Sequence, residues 1–266
     1  MFKVWLFQST SWRLERHRSE YDRFKPVKIT FADDNAMTEP RWALYFAPPA
    51  ALGQLGRQWL SDTFEPAAPW TTAPRRYGFH ATLKAPFRLA PDYSLRDLKA
   101  AVADWSQRQP PFFVRLSVQW LGDFLALRPV ARTDIEALSG LAASAVEQLD
   151  PLRAELSAAE QQRRLAAPLT VRERELLARW GYPYVFEAFR FHCTLTEPLP
   201  TAIRPRLFAL AEQHFNGVLS QPTPIDRVVL AEEPAPGANF VIVASFRLGA
   251  FTPGIEEPPC AKESVA

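Results

Sequence analysis

The chain has 266 residues, 47% hydrophobic and 23% charged, which is enough apolar material for a packed core and excludes a disordered or disulfide-stapled class. Its 31 basic and 29 acidic residues leave a formal net charge of +2, so no global field gathers nucleic acid or an anionic membrane, and any anion site must be local. Two cysteines, Cys193 in an apolar run and Cys260 in a polar stretch, fit a reducing compartment, and no run approaches the ~18 apolar residues of a membrane span.

Residues 1–36 mix arginines and acids without a sustained period of two or 3.6, so they read as a poorly ordered N-terminal extension. Met37 stands just before the first strand pattern, 41–47. A helix at 50–60 follows, then a strand at 77–84 and a helix at 94–107 with Leu95, Leu98, Val102 and Trp105 on one face. Residues 112–120 and 124–128, joined by Leu121-Gly122-Asp123, predict a hairpin. Helical patterns at 134–149, 151–165 and 170–180 lead to a strand at 189–196 and a helix at 203–215. A second hairpin, 225–230 with 240–248, precedes a mobile tail over 251–266.

The second half thus replays the strand, helix and hairpin of the first. Phe112 follows His80 by 32 residues, and Pro224 follows His192 by the same 32 (112 − 80 and 224 − 192). Hairpins after a strand and helix predict an α+β fold with antiparallel sheets, divided into lobes at 37–150 and 151–250 of one domain.

Two of the four histidines share a tetrapeptide pattern: His80-Ala81-Thr82-Leu83 and His192-Cys193-Thr194-Leu195. Strand parity puts His80, Thr82 and Lys84 on one face and Phe79, Ala81 and Leu83 on the other. Likewise Arg190, His192 and Thr194 oppose Phe191, Cys193 and Leu195. Each motif therefore offers a greasy side to a core and a His, a Thr and a cation to a site. Opening a cyclic phosphodiester with water needs a base, an acid and donors for the developing charge. Two imidazoles can serve as acid and base, the hydroxyls of Thr82 and Thr194 can bond the non-bridging oxygens, and Arg190 or Lys84 can hold the phosphate. No Asp or Glu stands beside the histidines, so a zinc or di-metal site is poorly supplied and no cofactor or metal is expected.

The paired motifs resemble the signature of the two-histidine phosphoesterase superfamily, which includes cyclic phosphodiesterases. The wider phrases Arg41-Trp42-Ala43-Leu44-Tyr45-Phe46-Ala47-Pro48, Tyr77-Gly78-Phe79-His80-Ala81-Thr82-Leu83-Lys84-Ala85-Pro86-Phe87 and Phe189-Arg190-Phe191-His192-Cys193-Thr194-Leu195-Thr196 are similar to a branch called putative phosphonate metabolism proteins, associated with carbon–phosphorus lyase. The resemblance spans residues 41–248. It implies a bilobal fold with pseudo-symmetric lobes and a central cleft, with His80 and Thr82 from one lobe and His192 and Thr194 from the other.

The reading is a cytoplasmic, monomeric phosphoric diester hydrolase acting on a small ribose or nucleoside cyclic phosphate. An RNA-end 2′,3′-cyclic phosphodiesterase or ligase-like enzyme is the alternative; against it, neither net charge nor a basic stripe favours nucleic acid. A phosphate-ligand binding protein without turnover is the non-enzymatic alternative. Tyr45 and Tyr77 are candidates to line the cleft, though aromatics beside strands more often serve packing. Arg75, Arg76 and Arg88 cluster near the first motif, where exposed loop charge is the competing role. His17 and His214 lack a matching partner, and Cys193 points away from His192 as a small buried hydrophobe.

Overall fold

The computed structural model describes residues 39–249, so the expected extension at 1–36 and tail at 251–266 lie outside the described residues. Strand β1 (Arg41–Phe46) alternates as its sequence demands: Trp42, Leu44 and Phe46 enter the main core, while Ala43 and Tyr45 form a second cluster on the opposite face. Helix α1 (Ala50–Leu60) follows two prolines and buries Leu52, Trp59 and Leu60. Its Trp59 indole donates a 2.8 Å hydrogen bond to the carbonyl of Leu195, tying the first half of the chain to the second motif.

The strand expected at 77–84 is displaced toward the C-terminus. Thr72–Tyr77 form a short helix α2, Gly78 takes φ +70°, and β2 runs Ala81–Phe87. Only glycine adopts that φ without strain, so the helix ends there and His80 enters the strand from a turn. Helix α3 (Leu95–Gln107) opens on a Ser94–Asp97 capping box and buries Leu98, Val102 and Trp105. The first hairpin splits into β3 (Phe112–Val114), β4 (Leu116–Leu121) and β5 (Phe124–Pro129). Helix α4 (Arg132–Leu149) follows.

The helix expected at 151–165 is broken. Asp150–Leu152 make a 3₁₀ turn, and α5 (Ala158–Leu165) restarts at a Ser157–Glu160 capping box. Helix α6 (Val171–Trp180) begins on a Thr170–Glu173 box and stops at Gly181, φ +72°. The strand expected at 189–196 shrinks to β6 (Cys193–Thr194), preceded by a 3₁₀ turn at Phe186–Ala188. Helix α7 (Arg204–Leu219) leads to β7 (Thr223–Ile225), β8 (Arg227–Glu233) and β9 (Val241–Arg247).

The fold is α+β. One antiparallel sheet has the order β4-β5-β6-β2-β1-β8-β9, and β3 pairs with β7 in a small second sheet. Leu44, Phe46, Ala81, Leu127, Cys193 and Leu230 share a core with residues of α1, α3, α4 and α7, so the long helices cover one sheet face. On the opposite face Ala43, Tyr45, Val229, Ala231 and Phe240 form a smaller cluster.

The division at 150/151 is not a division of this sheet. The first half's hairpin β4–β5 pairs with β6 from the second half, and the second half's β8 pairs with β1. Strand patterns do not say which edge a hairpin joins. The exchange puts β2 and β6, the two motif strands, side by side at the centre.

Gly56 shows how tightly this arrangement is packed. A Cβ there would lie 2.0 Å from the Phe79 ring, one residue before His80. Gly56→Ala gains helix propensity but overpacks the core, which typically costs about 1–3 kcal/mol. Urea denaturation is expected to show a lower midpoint for this variant, with unchanged slope.

Candidate active site

Antiparallel pairing matches Ala81 with Cys193. Extending that register by one residue sets His80 opposite Thr194 and His192 opposite Thr82, because both pairs keep the same sum of residue numbers. Each histidine thus faces the other motif's threonine. The two imidazoles are on diagonal neighbours, which stand about 7–8 Å apart with their Cβ atoms somewhat closer. Ala81 and Cys193 both point into the core, fully buried, so the residues flanking them must point to the open face.

The rings are oriented alike. Nδ1 of His80 is 3.0 Å from the carbonyl of Gly78, and Nδ1 of His192 is 2.7 Å from the carbonyl of Arg190. A carbonyl accepts only, so Nδ1 carries a proton in both and Nε2 is left for the site. In each case the acceptor lies two residues upstream, supplied by the turn that leads into the strand. Tyr45 stacks on His80 with ring centres 3.7 Å apart, and Phe124 meets His192 edge-on at 5.9 Å. The Thr82 hydroxyl lies 3.2 Å from Nε2 of His80.

A cavity of about 230 Å³ opens beside these groups, lined by Tyr77, His80, Phe124, Thr194, Thr196 and Glu197 among others. Burial is the main cause that lowers the pKa of both histidines. His80 falls from 6.5 to about 4, with the charge of His192 adding to the lowering and the Gly78 hydrogen bond opposing it. For His192 the second lowering influence is Arg128, with the Arg190 carbonyl opposing. The coupling between the two histidines places them within electrostatic range of each other. Both imidazoles are therefore neutral in the free protein near neutral pH.

A buried carboxylate steadies the turn that carries His80. Glu233 is fully buried and ion-paired to Arg41 and Arg76, and it accepts from the Gly237 amide at 3.1 Å. Arg76 also donates to the Ala238 carbonyl at 3.0 Å. The end of α2, and so the Gly78 carbonyl, is clamped to the start of β1 and the end of β8.

The expected substrate-binding residues divide. Tyr45 and Tyr77 both adjoin His80, the Tyr77 ring at 6.5 Å. Lys84 departs from its expected role: it is 4% exposed, donates to the Val146 carbonyl at 3.2 Å and lies 3.5 Å from Asp150, away from the cavity. Burial lowers its pKa to about 8 against the pull of Asp150. Arg190 turns back on its own loop, its guanidinium donating to the carbonyls of Glu187 and Phe189, both at 2.7 Å. Its face of the sheet is as expected; its fork is engaged elsewhere.

The cation whose charge bears on His192 is Arg128, which parity could have found. Leu125 and Leu127 are in the main core, and Phe124, Ala126 and Arg128 alternate to the opposite face, where Ala126 is itself fully buried. Pairing of Ala126 with Thr194 and Leu127 with Cys193 then carries Arg128 to the level of His192. What hid it was the hairpin exchange. His214, by contrast, donates from Nε2 to the Leu55 carbonyl, 2.9 Å away, and packs among Trp59, Phe64 and Phe215 as a core residue. Among the described residues no group of three or more His, Cys, Asp or Glu is placed to hold a metal ion. No helix of the described residues is long and apolar enough to cross a membrane.

The family described as DUF1045, a protein of unknown function, matches residues 82–241, more than half of the chain. The chain belongs to this DUF1045 family. Curated relatives include a protein of Janthinobacterium sp. (strain Marseille), 37% identical over 83% of this chain and 53% of its own length, and one of Laribacter hongkongensis (strain HLHK9), 39% identical over 75% and 50%. Both bear the name ribose 1,5-bisphosphate phosphokinase PhnN, and the chain spans about half the length of each. Among solved structures, E. coli LigT complexed with NADP+ is 17% identical with a TM-score of 0.37, covering 79% of this chain and 99% of the other. TT0787 of Thermus thermophilus is 16% identical with a TM-score of 0.43, covering 79% and 98%. At these scores the likeness carries no argument about the site.

Imidazole NMR tests the electrostatics directly. His80 is expected to titrate near pH 4, and His192→Ala to move that titration upward by removing a neighbouring positive charge. The folded state prefers neutral His80, so its stabilising contribution is whole above pH 6.5 and is lost as pH falls toward about 4. His80→Gln should flatten unfolding free energy in that window.

Proposed function

We propose that this protein is a phosphoric diester hydrolase that opens a small cyclic phosphate with His80 and His192 as acid and base. The observation that carries this reading is the reciprocal register, which sets each histidine opposite the other motif's threonine, together with two imidazoles whose Nδ1 is tied to a carbonyl two residues back so that Nε2 is left for the site. A phosphorus atom between two Nε2 atoms is attacked in line from one side while the leaving oxygen departs toward the other. The neutral imidazole takes the proton of the attacking water, and the other, as imidazolium, protonates the leaving alkoxide; one P–O bond forms and one breaks. Thr82 and Thr194 donate to the non-bridging oxygens, and Arg128 supplies positive potential on the His192 side.

The name of the curated relatives puts a phosphorylated ribose in their chemistry, which supports a ribose-based cyclic phosphate and a place in phosphonate metabolism. Their kinase activity has a weaker basis in this chain. A P-loop of the G-x-x-x-x-G-K-[ST] kind needs a Gly-Lys pair, and no glycine of the 266 residues precedes a lysine.

Hydrolysis of ribose and nucleoside cyclic phosphates, followed by phosphorus NMR, tests the proposal. His80→Ala and His192→Ala should each lower kcat by about 10²-fold to 10⁴-fold with the fold intact; full activity in either variant sinks the reading. One imidazole must be protonated and one neutral, and both pKa values are depressed in the free protein. The profile of kcat/KM should therefore peak below pH 6.5. That of kcat should peak at higher pH, because a bound phosphate anion favours the imidazolium.

A further inference from the structure

Charge is unevenly placed around the cavity beside His80. Tyr77, Phe124, Pro74 and Pro198 give it apolar walls, and His80 and Thr194 border it. Among the described residues the wall holds one carboxylate, Glu197, and no lysine or arginine. Helix α2 forms one side and carries two arginines, yet both turn elsewhere. Arg75 donates to the Leu60 carbonyl and the Thr71 hydroxyl, and Arg76 to Glu233 and the Ala238 carbonyl. One oxygen of Glu197 accepts from the Ala73 amide at 2.7 Å, while among the described residues the other accepts no hydrogen bond and the carboxylate meets no cation at ion-pair distance.

The sign reverses on the far side of the site. Pairing of Ala126 with Thr194 and Leu127 with Cys193, continued by one residue, sets Arg128 opposite His192. A phosphate between the imidazoles would have this guanidinium on the His192 side, and the group that bears the phosphate would extend past His80 toward Glu197. A carboxylate accepts from a hydroxyl but repels a phosphate, because like charges a few ångströms apart oppose each other even when partly solvated. At about 230 Å³ the cavity is smaller than the ~300–1,000 Å³ of pockets for drug-sized ligands, so it suits a single ring held between aromatic walls.

We propose that Glu197 is a specificity-determining residue that admits an uncharged, hydroxyl-bearing ring beside His80 and rejects a substrate carrying a second phosphate there. This rests on the cyclic-phosphate reading for the placement of the first phosphate, but binding tests it separately. The selectivity comes from repulsion of the wrong ligand as much as from a bond to the right one.

Calorimetric titration of the full chain with ribose 5-phosphate and with ribose 1,5-bisphosphate reads the selectivity without turnover. The wild type is expected to bind the monophosphate at least as tightly as the bisphosphate, despite the additional charge of the latter. Glu197→Gln keeps an amide oxygen to accept from Ala73 and removes the charge, so it should raise the ratio of bisphosphate to monophosphate affinity by about tenfold to a hundredfold. A purely structural Glu197 would instead weaken both ligands alike. A wild type that binds neither ligand or favours the bisphosphate by more than about threefold, or a folded Glu197→Gln whose ratio rises by less than about threefold, overturns the proposal. Should Glu197→Gln not fold, Ala73→Lys decides: Ala73 is exposed and lines the cavity, and an ammonium there would offset the Glu197 charge. A ratio raised by about threefold or more then supports the proposal, and a smaller change refutes it. A Glu197-dependent ratio in a protein that hydrolyses no cyclic phosphate would support the selectivity while removing the hydrolase reading alone. An unchanged ratio in an active hydrolase would do the opposite.

Discussion

A single antiparallel contact, Ala81 against Cys193, organises this molecule. Both side chains are fully buried in the helix-covered core. Because strand side chains alternate, burying these two forces the residues on either side of them to the open face. The two histidines and two threonines are brought together by that requirement alone. Everything else on the open face, from Tyr45 under His80 to Phe124 beside His192, is positioned relative to this pair.

The short length of β6 makes its support instructive. Two residues of strand cannot hold a register by themselves, so the second motif is tied down from several directions. The Trp59 indole bonds the Leu195 carbonyl, the Thr196 hydroxyl accepts from the Leu125 amide at 3.0 Å, and the Glu197 carboxylate accepts from the Ala73 amide at 2.7 Å. Two of these three ties come from the first half of the chain outside the hairpin. On the other side of the site, Glu233 between Arg41 and Arg76 does the same for the turn before His80. Breaking a buried pair of this kind leaves an uncompensated charge, which gives the clamp its rigidity. Preorganised imidazoles follow from this scaffolding and not from the motifs themselves.

Electrostatics and geometry act in the same direction here. Burial keeps both rings neutral in the free protein, while the upstream carbonyls fix Nδ1 as the protonated nitrogen. In the proposed reaction, a bound phosphate anion would bring a proton onto one ring. Charge elsewhere is mostly neutralised within the protein, Lys84 by Asp150 and Arg41 by Glu233 among them.

Much of this was legible in the sequence, and the limits fall at identifiable places. Helix α1 has the bounds its pattern predicts, and α3 begins where Ser94 and Asp97 form a capping box, because local periodicity and caps encode local structure. Repetition of H-x-T-L identified His80, His192, Thr82 and Thr194, and parity put the apolar partners inward. Sequence could not say that β4–β5 would join β6, since hairpin patterning is silent on which edge receives it. With that exchange unknown, Arg128 stayed hidden. Simple parity puts Lys84 on the face of His80, but a register shift between β1 and β2 sets it opposite core-facing Leu44, and it reaches α4 and Asp150 instead. The sequence by itself determined the elements, the two motifs and the face each residue takes, because those depend on neighbours a few positions away. Only the tertiary structure decided which strands meet and which cations remain for a ligand, because those depend on long-range pairing and on competition among charges.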